Sequence, residues 1–113
     1  MNYLGAKAFI LGKLTSELPK ELYYHGLHHT LDVLEVTEEL CSLMHVTAYE
    51  TMLLKTAVLF HDAGFMVSSQ EHEVRGCKIA RENLPGFGYN DQEIERICGM
   101  ILATKIPQSP TNK

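Results

Sequence analysis

Three side chains in this sequence have the makings of a metal site: His29, and His61 followed directly by Asp62. Neutral imidazole and carboxylate are donors that first-row divalent ions accept together, so the set points to a divalent cation. His25 stands four residues before His29, and the two could address one ion or one substrate if a helix reaches back that far. His28 would point about 100° away. Three histidines within five residues are more than chance clustering comfortably explains. The plain alternative is a solvent-washed, histidine-rich helix start. Asp32, one turn after His29, reads as a surface carboxylate or as a partner that orients an imidazole.

His61-Asp62 is the sharper signal. Met52 to Phe60 is apolar almost all round, which predicts the most buried helix of the chain. Polar groups seldom interrupt such a helix, because burying them without a partner is costly. Adjacent helical residues diverge by about 100°, so both reach one ion only near a helix end. Gly64 supplies that end. A capping aspartate beside a hydrogen-bonded core histidine is the competing reading.

The elements that must position these residues are helical throughout, with no convincing alternating stretch. Leu4, Ala8, Leu11, Leu14 and Leu18 fall on one face of a first helix stopped by Pro19. A loop from Pro19 to Gly26 then leads into a second helix, with Leu27, Leu31, Leu34, Leu40 and Leu43 facing inward. Thr47, with Glu50 three residues on, reads as the capping box of the third helix. A fourth helix is expected from Glu71 to Leu84, closed by Pro85-Gly86, and a fifth from Glu93 to Ala103, capped by Asn90 or Asp91. His45 reads as the exposed end of the second helix, where the helix dipole favours it. Lys105 to Lys113, with two prolines, has the composition of a connector.

At 113 residues the sequence has room for one domain, residues 1–113. A net charge of −4 excludes a basic nucleic-acid or membrane-binding footprint, so neither a nucleic-acid polymer nor a membrane is expected as partner. A phosphate-bearing substrate remains compatible, because a metal supplies positive charge locally. Cys41, Cys77 and Cys98 are odd in number and far apart, which reads as buried, reduced thiols in a cytoplasmic protein. Neither a membrane-spanning run nor a secretion signal is evident.

Taken together, these segments resemble the HD superfamily of metal-dependent phosphohydrolases, all-α domains that include many nucleotide and cyclic-nucleotide phosphodiesterases. The resemblance covers nearly the whole chain. It rests on Tyr24-His25, His29-Thr30 and Val33, on Leu53 through Gly64, on His72-Glu73, and on Ile101 through Lys105. It implies a single multi-helix bundle in which His29, His61 and Asp62 hold one divalent ion: Mn, Fe, Co, Ni or Zn. It implies hydrolysis of a phosphoester of a nucleotide or related small molecule by activated water, with Asp62 as ligand and acceptor and His25 as general acid. The family's cyclic-nucleotide branch usually has Asn after that histidine, and here Gly26 follows it.

The same family supplies a fourth ligand, an Asp on a helix after the segment matching Ala103-Thr104-Lys105. No acidic residue follows Glu95, so the expectation is a bundle lacking its C-terminal helix, and Asp91 reads as a cap rather than a ligand. His72 matches a position that two-metal members use; without a second late histidine, it is expected near the substrate or at a helix start. Lys105, Arg75 and Arg81 are candidates to grip phosphate, with Lys105 best placed. The alternative function is a catalytically incomplete domain acting as a binding or dimerisation module, with a homodimer as its simplest form. A redox iron enzyme of the same fold is a third, disfavoured by the shortage of histidines.

Overall fold

In the computed structural model the described residues are 1–17, 20–63 and 72–103; of residues 17, 20–27, 62 and 72 it describes the backbone alone. Among the described residues five α-helices form an all-α bundle: α1 Tyr3–Glu17, α2 Lys20–Leu43, α3 Ala48–Ala63, α4 His72–Asn83 and α5 Asp91–Ala103. A 3-10 turn, Leu84–Phe87, joins α4 to α5. Among the described residues there is no strand, and no helix is long and apolar enough to cross a membrane.

α3 is the central element and packs against each of the other four helices. Leu53, Thr56, Leu59, Phe60 and Ala63 are fully enclosed, as its all-round apolar composition predicts. Thr56 is accommodated in that core because its hydroxyl bonds the Met52 carbonyl (2.8 Å) and the Tyr89 hydroxyl (2.8 Å). The expected cap is present in half: the Thr47 Oγ1 accepts from the Glu50 amide at 3.1 Å, while the Glu50 carboxylate pairs with Arg96 of α5. α5 opens with the complete reciprocal form. Asn90 Oδ1 accepts from the Glu93 amide and Glu93 Oε1 from the Asn90 amide, both at 2.8 Å.

The expected loop over 19–26 is corrected. α2 begins at Lys20 and runs unbroken to Leu43. Lys, Glu, Leu, Tyr and His are competent helix formers, Pro is tolerated beside a helix start, and one interior Gly costs only about 1 kcal/mol. The 24-residue helix absorbs that cost. The helix ends in a Schellman arrangement, Val46 N to Cys41 O (2.9 Å) and His45 N to Ser42 O (3.2 Å). His45, at φ 58°, takes the left-handed position just past the helix, rather than its last turn.

Two apolar faces are also corrected. On α1 the core takes Tyr3, Ala6, Ile10 and Leu14, whereas Leu4 is 75% exposed and Ala8 is exposed. Apolar residues surround most of this helix, so its periodicity admits more than one inward face, and the neighbours choose. On α2 the core takes Thr30, Leu34 and Cys41, while Leu31, Leu40 and Leu43 are exposed. α2 rests mainly on α1 and α3, so among the described residues the leucines on its far side meet no further layer. Leu18 and Leu27 lie outside the described side chains.

Candidate functional site

The unbroken α2 places position 25 one turn before His29. α2 and α3 are joined by four residues and pack closely, and Val33 with Ala57 lines the same hollow one turn from His29 and His61, as in an antiparallel helical hairpin. His29 precedes the end of α2 at Leu43 by 14 residues, and His61 follows the start of α3 at Ala48 by 13. Each span is about 20 Å of helix, which brings the two histidines to the same level. Both line one hollow of about 240 Å³, with Val33 of α2, Leu54, Ala57 and Val58 of α3, and Met100 and Ile101 of α5. Residues 32 positions apart in sequence thus border one small space. His29 is exposed and His61 half-buried.

Position 62 is in the last turn of α3, next to His61, and its side chain lies outside the described residues. So do the side chains of His25 and His72, and Lys105 and Gly64 entirely. Among the described residues no group of three or more His, Cys, Asp and Glu side chains converges as a metal cluster. The described part of the candidate set is the imidazole pair, whose chemistry suits a first-row divalent ion; with Asp62 it would number three ligands.

His28 and Asp32 face each other across one turn (Nδ1–Oδ2 3.9 Å), both exposed, so Asp32 partners His28 rather than His29. Asp91 is exposed and begins α5, nine residues or about 14 Å of helix from Met100, which agrees with its reading as a residue of the helix start. Arg81 makes a two-pronged pair with Glu95, both contacts at 3.2 Å, which occupies its guanidinium. That ion pair holds the Glu95 carboxyl below the usual range. Arg75 is exposed.

Gly76 sets how closely α4 approaches the His61 end of α3. A Cβ there would lie 2.5 Å from the Phe60 carbonyl oxygen and 3.5 Å from the His61 Cα. Its importance was missed in the sequence, although a glycine inside a helix is itself a signal of close packing. Met100 was missed as well, since only the fold brings the end of α5 to the histidines.

Cys77 and Cys98 face one another across α4 and α5, each thiol directed at the other's carbonyl (3.5 and 3.8 Å). Burial pushes the Cys77 thiol up to about 12 and raises Cys98 as well. All three cysteines are buried free thiols, as expected.

No family model matches the chain, and no solved structure does. A curated protein of Clostridium beijerinckii, described as an uncharacterized protein, is 28% identical over 96 residues. The match takes in 82% of this chain and 60% of that protein, so the chain spans less than two thirds of this relative's length.

Proposed function

We propose that the chain is a metal-dependent phosphohydrolase domain of the HD type, acting on a small phosphoester such as a nucleotide or related molecule. The observation that carries the reading is the shared hollow of His29 and His61. His29 and His61 would hold one divalent ion through neutral imidazole nitrogens, and Asp62 would add a carboxylate. When bound, such an ion supplies Lewis acidity toward water and toward a phosphoryl oxygen. As an acceptor-only group, the Asp62 carboxylate can also orient a proton of attacking water. His25, charged, can give its proton to the departing oxygen, a role typically worth about 10²–10⁴-fold in rate. A panel of nucleotides and simple phosphoesters with added Mn²⁺ tests this directly. Turnover lost in His25→Ala with metal content unchanged is the expected result; turnover unaffected by His25→Ala contradicts the acid role.

A second reading, a binding or dimerisation module, is favoured by a different observation. Val36, Leu40, Leu43 and Met44 stand exposed along the far half of α2 and its end, Leu43 at 75%. Apolar residues gathered in this way mark interaction surfaces more often than chance. Sedimentation across a range of concentrations separates the readings: a stable dimer without phosphoesterase activity supports the module.

A further inference from the structure

Among the described residues, the hollow that carries the two histidines is otherwise walled by aliphatic and thioether side chains, and its layout is directional. His29 and His61 lie at one level. Val33 is one turn from His29 toward the α2–α3 connection, and Ala57 and Leu54 are one and two turns from His61 in the same direction. Met100 and Ile101 close the space from α5. A volume of about 240 Å³ has room for roughly eight water-sized groups, at about 30 Å³ each. That is too small for a helix and suited to a short chain or a single small ring.

We infer that the hollow is a tail-binding subsite. It takes the short aliphatic or small aromatic group of an organophosphate whose charged head lies at the imidazole end. The inference rests on the phosphohydrolase reading for its choice of head group. The preferred substrates are then alkyl or small aryl phosphoesters, in preference to polyphosphates. Val33, Leu54 and Val58 act as specificity residues, because apolar walls reward each methylene removed from water.

The test is calorimetric titration of the whole chain with methyl-, ethyl-, propyl- and butylphosphonate, with and without Mn²⁺. Affinity rising about fourfold for each added methylene is expected, and a shallower rise in Val33→Ser. A rise with chain length that is indifferent to Mn²⁺ keeps the subsite and removes the metal reading. Binding that needs Mn²⁺ yet stays flat from methyl to butyl overturns the subsite and leaves the metal reading standing. No binding under either condition overturns both. Affinity that weakens as protein concentration is raised would place a second copy in the hollow and also overturn the assignment.

Discussion

The two ends of α3 set their polar groups in different surroundings. At the start, Tyr49 donates to Glu93 Oε2 at 2.9 Å, Glu93 and Asn90 cap one another, and Glu50 meets Arg96. These groups close on each other and tie α3 to the first two turns of α5. At the other end His61, with His29 of α2, borders a hollow whose other described lining residues are apolar. The first arrangement joins α3 to α5 through hydrogen bonds and an ion pair between their side chains. The second places imidazoles where a ligand can reach them. One helix thus carries an anchoring end and, on the proposed function, a reactive end, with the core between them.

The largest effect should come from the core that joins the two ends. Phe60 is fully buried beside His61, and Phe60→Ala should cost about 3–5 kcal/mol in a denaturant titration. Gly76→Ala should cost about 1–3 kcal/mol, because the new methyl meets the Phe60 carbonyl rather than a flexible side chain. It should also weaken metal binding more than a change of equal cost at the anchoring end. Equal metal affinity in Gly76→Ala and wild type would break the link between α4 and the reactive end.

Next comes the anchoring end itself. Asn90→Ala should lose about 1 kcal/mol, the usual worth of a helix cap, with metal affinity untouched. Bonds from the Asn90 amide and then the Tyr49 hydroxyl hold the Glu93 carboxyl below its ordinary range. A depressed carboxylate pKa contributes stability that is fully present above the unfolded glutamate range and disappears as pH falls through the folded value. Melts in acid should therefore lose part of their pH dependence in Glu93→Gln. An unchanged slope would show that this carboxylate is not among those that stabilise the fold.

The smallest effects are expected at the seam of α4 and α5. A thiol pushed to about 12, as at Cys77, is almost wholly protonated at neutral pH and reacts slowly. Native protein should label slowly with a disulfide reagent at pH 8, and all three cysteines should label on unfolding. Rapid labelling of Cys77 in the native protein would show this seam to be open.

Much of this comparison was legible in the amino-acid sequence alone. Thr47 with Glu50, and Asn90 or Asp91 before the fifth helix, announce helix starts through local chemistry, although Glu50 turns its carboxylate to Arg96 instead of closing the box. The all-round apolar composition of Met52 to Phe60 likewise fixes α3 as the central helix. Faces were harder. Leu4 and Ile10 both satisfy a helical period on α1, and only the packing of α3 decides that Ile10 goes inside. The start of α2 was misread because Pro19 and Gly26 are strong local punctuation, while the cost of one glycine is small beside a long helix. His29 and His61 were legible as ligand types; their common hollow required the antiparallel pairing of α2 with α3. The walls contributed by Met100 and Ile101 depend on where α5 ends, which no local pattern states.

The central claim is that His29 and His61 serve one ion. Metal content and affinity measured on wild type, His29→Ala and His61→Ala test it most directly. His29 is exposed, so His29→Ala should shift stability by no more than about 0.5 kcal/mol, and any loss of metal then belongs to the ligand and not to the fold. One equivalent of ion is expected in wild type, with its loss from both variants. Full metal content at wild-type affinity in either folded variant would contradict it.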